Sequence, residues 1–128
     1  MEEQYIGKKF TIIHCKGAID SFEIAIKSVE ARKHEIFKAN LRAQNHRLAD
    51  GYRISSNSFR SEGKLSNGKK FYALKKIPIR GYCWLSTTKQ STYFISHYMC
   101  KKKDKLDRSD TEKVIKNWKR VEEDGYGR

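Results

Sequence analysis

Blocks of apolar residues along the chain predict its first elements. Phe10–Cys15 joins aromatic and branched residues without interruption, as is typical of a strand. From Ala18 to Ala49 there is no glycine or proline, and apolar residues recur at roughly helical spacing. Polar residues at Arg32–Glu35 interrupt this stripe, so the pattern fits either one long helix or two helices bent there. Asp50-Gly51 marks the end of the helical segment.

Capping signals predict where the helices begin. Asp20 is a candidate N-cap with Glu23 three residues later, and Ile19 and Ile24 have the spacing of a hydrophobic staple. Near the C-terminus, Ser109 and Glu112 fit a capping box. The predicted C-terminal helix has one apolar stripe and ends at Gly125; the stripe consists of Val114, Ile115, Trp118 and Val121.

The middle of the chain predicts strands. Tyr52–Phe59 is a weaker strand candidate, and Ser61–Gly68 is rich in turn residues and predicts a loop. Lys69–Ile77 alternates as a strand, Pro78 marks a bulge, an edge or a break, and Arg80–Ser86 is apolar on both faces, as in a central strand.

The stretch Ser91–Leu106 combines a strand with a lysine cluster. Its first half has aromatic and apolar residues without glycine or proline, and Thr87–Gln90 predicts a turn that pairs this strand with Arg80–Ser86 in a hairpin. Lysines 101, 102, 103 and 105 follow directly, so a buried strand delivers a cationic cluster to the surface.

Together these elements predict a single domain over residues 1–128 of class α+β. We expect a mainly antiparallel sheet with one long helix or a helix pair packed on it, and a C-terminal helix. Phe22, Ile26, Val29 and Trp118 are expected to pack on one face of that sheet.

Composition narrows the class of protein. Apolar residues make up 38% and charged residues 34%, and there is no apolar run of the ~18 residues that a membrane-spanning helix needs. The N-terminus has no secretory pattern, so we expect a cytoplasmic protein without a membrane partner. Cys15, Cys83 and Cys100 fit neither a disulfide framework nor a zinc motif, and no metal or cofactor is expected.

Charge is the strongest bulk signal. Lysine and arginine number 28 against 15 acids, which gives a net charge of +13. Between Arg60 and Arg80 seven basic residues accompany one acid, Glu62. Such clustering favours a nucleic acid as the partner over an anionic membrane or an acidic protein.

Three segments, in order, resemble the RelE/HigB superfamily of toxin–antitoxin ribonucleases, and most closely its phage-type HigB branch. Phe71–Lys75 is similar to the family strand W-E-L-R, and Arg80–Trp84 to the next strand, which begins with arginine. Phe94–Lys102 is similar to L-L-H-G-F-x-K-K, and the helix Thr111–Val121 follows where the family has its closing helix. Tyr98 and Met99 depart from the family's glycine and phenylalanine, and no glutamate precedes Lys75.

The resemblance implies a RelE-like fold and cleavage of messenger RNA on the ribosome, without a metal, in a protein neutralised by a cognate antitoxin. In that reaction the 2′-hydroxyl attacks its own phosphate, which requires a proton acceptor, a proton donor and cations around the phosphorane. Our candidates for these catalytic roles are Arg80, His97, Lys75 and Tyr98, with Tyr126 and Arg128 as weaker ones. The candidates for binding the RNA backbone are Lys69, Lys70, Lys76, Lys101, Lys102, Lys103 and Lys105.

Two other hypotheses stay open at this point. The chain could be a catalytically silent nucleic-acid-binding module on the same fold, since the family's glutamate is missing. It could also be a protein-interaction factor of phage origin whose basic face meets an acidic partner.

Overall fold

The chain folds into one mixed sheet with helices on both sides. The computed structural model describes residues 1–102 and 105–128; Lys103, predicted to bind RNA, lies outside the described residues. Within them the elements, in chain order, are β1 Gln4–Ile6, β2 Thr11–His14, α1 Ala18–Ile26, α2 His34–Asp50, β3 Phe59–Lys64, β4 Lys70–Lys76, β5 Ile79–Leu85, β6 Thr92–Cys100 and α3 Arg108–Trp118. A 3₁₀ turn at Ala31–Lys33 precedes α2, and a π-helical turn at Lys119–Glu123 extends α3.

The six strands lie in the order β1-β2-β6-β5-β4-β3. β6 pairs in parallel with β2, from Thr11 opposite Thr92 to His14 opposite Ile95, and every other pair is antiparallel. The predicted α+β class, the mainly antiparallel sheet and the β5–β6 hairpin are thus confirmed, and the order of elements is consistent with a RelE-like fold. The stretch that begins at Ser91 provides β6, which is one of the two central strands of the sheet.

The helical segment is a pair, the second of the two interpretations that the sequence left open. α1 ends at Ile26, and α2 begins at His34 and ends at Gly51, which adopts a left-handed conformation with φ of 77°. α1 begins at Ala18, after Gly17, so the prediction of Asp20 as N-cap was wrong; Asp20 lies inside the first turn. Likewise α3 follows Asp107 rather than Ser109.

The helices divide between the two faces of the sheet. Phe22, Ile26 and Val29 pack with α2 on one face, whereas Trp118 packs on the opposite face with Phe94 and Trp84. The expectation that all four share a face was wrong. β5 and β6 are apolar on both sides, so each face needs its own cover to exclude water.

The strand boundaries near residue 60 also differ from the prediction. Tyr52–Ser58 has no strand, and β3 runs through Ser61 and Gly63, which the turn composition had placed in a loop. Gly63 lies against Phe71, where a Cβ would come within 2.7 Å of the ring. This edge strand therefore forms through pairing with β4 and close packing, which outweigh its poor strand propensity.

Candidate nucleic-acid site

The structure brings three of the four predicted catalytic residues to the same face of the sheet. Lys75 lies opposite Arg80 in the β4–β5 register, and His97 lies opposite Tyr82 in the β5–β6 register. This face is covered by α3. Tyr98 points to the other face, where its hydroxyl contacts His14 Nε2 at 2.7 Å and its ring packs on Phe22. Tyr98 is therefore separated by the sheet from the other three.

A β-bulge explains how the neighbouring residues Ser96 and His97 come to face α3 together. Tyr82 pairs with His97 but Cys83 pairs with Ile95, which leaves Ser96 as the extra residue in β6. Both side chains then meet α3: Ser96 Oγ accepts from Asn117 Nδ2 at 2.8 Å, and His97 Nε2 lies 3.1 Å from Asp110 Oδ1. Bulges of this kind redirect side chains and are frequent beside active sites.

The hydrogen bonds around His97 fix its tautomer. The carboxylate of Asp110 can only accept, so Nε2 carries the proton and donates to it. Nδ1 then accepts from Ser96 Oγ at 2.8 Å. Burial lowers the pKa of His97; the bond to Asp110 acts in the opposite direction, and the charge of Lys113 lowers the pKa further. The imidazole is thus neutral near pH 7, with Nδ1 as its basic nitrogen.

Lys101 joins the same network from the end of β6. Its Nζ forms ion pairs with Asp110 Oδ2 and with Asp107 Oδ2, the latter at 2.7 Å. Burial acts against both charged forms, but the hydrogen bonds raise the pKa of Lys101 and lower that of Asp110. A protonated Lys101 next to an ionised Asp110 gives His97 a fixed acceptor.

Charged side chains are buried around this face of the sheet to an unusual degree. Lys75 is 3% exposed, Arg80 2%, His97 2% and Asp110 1%. Lys75 Nζ lies 2.6 Å from Glu62 Oε1, and Arg80 Nη1 donates to the carbonyl of Lys101 at 3.4 Å. Buried charge of this density costs free energy unless it is paired, and it is more common at functional sites than in ordinary cores.

The lysines that were predicted to bind RNA and that the structure describes are dispersed. Lys69 and Lys70 are exposed at the start of β4, and Lys76 lies on the opposite face, with its Nζ 5.9 Å from the centre of the Phe37 ring. Lys102 and Lys105 are exposed beyond β6, whereas the Lys101 ammonium is held by carboxylates. The structure therefore does not gather these lysines into one continuous patch.

A groove opens beside His97, between α1 and α3. β2 ends at His14, and α1 lies along the following part of β6, where the Tyr98 backbone N–H donates to Ser21 Oγ at 2.9 Å. The groove has a volume of about 470 Å³, Ser96 and His97 are part of its lining, and its other walls carry cations. The basic residues that line it are Lys16, Lys113, Lys116 and Arg120.

Sequence reasoning missed the groove and most of the network. Asp110 and Asn117 carried a usable signal, because they fall at helical spacing on the same stripe as Val114 and Trp118. A carboxylate and an amide on an apolar stripe predict buried polar contacts. Ser96 carried no such signal, since its orientation depends on the bulge, and Glu62 stood in a predicted loop.

Comparison with known proteins finds no relative of this chain. The chain matches no protein-family model, no curated protein and no solved structure. Within residues 1–102 and 105–128, the structure contains no group of three or more histidine, cysteine or acidic side chains able to hold a metal ion. In the same part of the chain no helix is long and apolar enough to cross a membrane.

Proposed function

We propose that this protein is an RNA endonuclease of the toxin class: it cuts messenger RNA on the ribosome and is neutralised in the cytoplasm by an antitoxin. The observation that carries the proposal is the neutral His97, held between Ser96 and Asp110 on the wall of a cationic groove. Cleavage by 2′-hydroxyl attack needs a base that is unprotonated near neutral pH, next to cations that hold a phosphate. The resemblance of residues 71–121 to the RelE/HigB superfamily gives the ribosome and the antitoxin as partners.

In the proposed reaction a ribose 2′-hydroxyl takes the place of the Ser96 hydroxyl at His97 Nδ1. His97 removes the proton, the 2′-oxygen attacks its own phosphorus, and the P–O5′ bond breaks, which leaves a 2′,3′-cyclic phosphate and a 5′-hydroxyl end. The departing oxygen takes up a proton from solvent or from a groove side chain. Asp110 then stabilises the imidazolium through the bond that it already makes to Nε2.

A second candidate function has its own supporting observation. Lys75 and Lys101 are paired with carboxylates of the protein, and Arg80 is buried with them. Because these cations are already paired within the protein, they are less available to stabilise a phosphorane. This favours a silent RNA-binding module over a catalyst. Cleavage and binding must therefore be measured separately.

The test uses His97→Gln. The amide of glutamine is still a polar group able to form hydrogen bonds, but it cannot exchange protons near neutral pH. RNA cleavage in a translation extract and binding of a labelled RNA are measured on the same preparations, with exposed His46→Gln alongside. We expect wild type and His46→Gln to cut, and His97→Gln to lose cleavage at least about a hundredfold while still binding. Expression of the wild type alone should arrest growth.

The outcomes separate the two functions. Wild-type protein that binds RNA, does not cut it and allows normal growth is the silent module. His97→Gln that folds and cuts at the wild-type rate removes His97 from the chemistry. A failure to bind RNA at all contradicts both proposals.

A further inference from the structure

The groove beside His97 continues along α1 into a second, less polar cavity. This cavity has a volume of about 210 Å³ and is lined in part by Ile24, Ala25, Tyr98 and Met99. Ser21 and Lys113 line both volumes, so the two are adjoining parts of one groove. We call the first part the basic end and the second part the apolar end.

The basic end has donors prepared for an anion. Lys16, Lys113, Lys116 and Arg120 line it, against one acid, Glu112. The guanidinium of Arg120 lies beside the Cys15 thiol, and its buried Nε and Nη2 have no hydrogen-bond partner of normal geometry among the residues that the structure describes. Buried guanidinium N–H groups are nearly always satisfied, and a phosphate can accept two of them at once. With four cations against one acid in its lining, the basic end suits an anion such as a phosphate.

The apolar end fits a flat, weakly polar group next to that phosphate. Ile24 is 69% exposed and lines this cavity, so its side chain is accessible to a ligand there. Met99 on β6 is half-buried and forms part of the same lining. A phosphate joined through a sugar to a base has this distribution of charge and apolar surface, whereas an acidic peptide would place further carboxylates where the lining is apolar.

We propose that the groove binds one nucleotide of single-stranded RNA, with the phosphate at the basic end and the base at the apolar end. This inference rests on the proposed function, which it deepens by assigning the contacts that hold RNA beside His97. It places the RNA between α1 and α3, on residues other than the lysines of β4 and of the segment after β6. The base would be held by shape and apolar contact with Ile24 and Met99, so recognition at this position is weakly sequence-dependent.

Two matched pairs of variants test the two ends. Lys116→Glu changes the groove, and Lys119→Glu makes the same charge change at an exposed lysine on the same helical segment. Ile24→Glu changes the apolar end, and Ile36→Glu makes the same change at an isoleucine on α2 that is 59% exposed. All four sites are exposed, so the variants should fold; circular dichroism and thermal melting check this.

Affinity is measured by fluorescence anisotropy with a labelled single-stranded RNA at fixed salt. We expect Lys116→Glu to weaken binding about tenfold and Lys119→Glu no more than about twofold. Ile24→Glu should weaken binding about fivefold. Ile36→Glu should weaken it only by the small effect of the negative charge that it adds. With an RNA that lacks bases, Lys116→Glu should keep its effect and Ile24→Glu should lose its excess over Ile36→Glu.

Each contrary result has a definite meaning. If Lys116→Glu and Lys119→Glu lose the same affinity for RNA, binding depends only on overall charge, and the groove is not the binding site. An Ile24→Glu effect that persists on the base-free RNA, or that equals that of Ile36→Glu, overturns the base position. Tighter binding of poly-L-glutamate than of RNA assigns the groove to an acidic protein. If the wild type binds no RNA, the proposed function itself fails.

Discussion

At the scale of single residues, His97 is informative because its two ring nitrogens have different partners. Asp110 accepts from Nε2, and Ser96 donates to Nδ1. Three neighbouring charges act on the imidazolium: the carboxylate of Asp110 stabilises it, and the ammonium groups of Lys113 and Lys101 destabilise it. The pKa of His97 is therefore a direct readout of whether this network exists in solution.

Opposite shifts are expected when each neighbour is neutralised. Asp110→Asn removes the stabilising carboxylate and should lower the pKa of His97 further, whereas Lys113→Gln removes a repelling charge and should raise it. The measurement is an NMR titration of the His97 ring signals, with Lys33→Gln, at an exposed lysine just before α2, as the control. Shifts of the same sign in both variants would show that the side chains do not face His97.

Gly81 is a position where the packing leaves no room for a side chain. A Cβ at this residue would lie 2.7 Å from Cε1 of Tyr98, and that ring is fixed by the bond from its hydroxyl to His14. Gly81→Ala should therefore lower the free energy of unfolding by about 1–3 kcal/mol. Urea denaturation gives the value. Gly127→Ala, where a Cβ meets nothing within 4 Å, should change it by less than about 0.5 kcal/mol; equal effects would contradict the packing.

In a regular strand, side chains alternate between the two faces of the sheet. Only the site residues that follow this alternation could be predicted from the sequence. Lys75 and Arg80 share a face of the sheet because they lie directly opposite each other in a short hairpin. The position of His97 beside Ser96 could not be foreseen, since a bulge breaks that alternation. The groove is formed by the distant segments α1, β6 and α3, and no local pattern relates them.

At the scale of elements, long periodic segments and strongly apolar strands were predicted well. β4, β5, β6, α2 and α3 lie within a few residues of their predicted positions, because burial of one or both faces dominates their energetics. The failures concern weak local signals. The caps predicted at Asp20 and Ser109 lie three and two residues earlier, and β3 forms through pairing at a sheet edge despite its turn composition.

The C-terminal helical segment depends on one carboxylate at its end. Glu122 accepts from Trp84 Nε1 at 2.8 Å and from the backbone N–H and the hydroxyl of Thr88, and so ties the π-helical turn to β5 and to the following loop. Burial opposes the charged form, but these hydrogen bonds lower the pKa of Glu122 below its usual range. The π-helical turn is thus held by this carboxylate, and α3 before it is held by Val114 and Trp118.

Removing this carboxylate should loosen the end of the helix. Glu122→Ala is expected to lower the free energy of unfolding by about 1–2 kcal/mol, because a buried indole N–H loses its acceptor. Urea denaturation followed by tryptophan fluorescence provides the measurement. Glu123→Ala, at the exposed neighbouring residue, should stay within about 0.5 kcal/mol of the wild type. The tie is unimportant if both variants unfold at the same urea concentration.

At the scale of the whole molecule, each face of the sheet contains a buried neutral histidine. His97 lies under α3. On the other face His14 donates from Nδ1 to the carbonyl of Glu2 and accepts at Nε2 from the hydroxyl of Tyr98, both at 2.7 Å. Burial is the main reason that the pKa of His14 falls from 6.5 to about 4, and that of His97 is lowered as well. The net charge of +13 adds repulsion that grows when histidines become protonated.

Stability should therefore decrease in mild acid, and His14 should account for a defined part of the loss. The unfolded chain takes up a proton on His14 near pH 6.5, whereas the folded chain does so only near pH 4. The contribution of His14 is thus fully present above pH 6.5 and is lost as the pH falls towards 4, a total of about 3 kcal/mol. His97 adds a loss of the same sign.

Free energies of unfolding in urea at about pH 7.5 and pH 5 measure this effect. The wild type should lose about 2 kcal/mol through His14 over that interval, in addition to the part due to His97. His14→Gln can keep both hydrogen bonds but cannot be protonated, so it should lose correspondingly less. His46→Gln, at an exposed histidine, should follow the wild type. If the free energy of unfolding of His14→Gln fell with pH as much as that of the wild type, His14 would not be buried as a neutral ring.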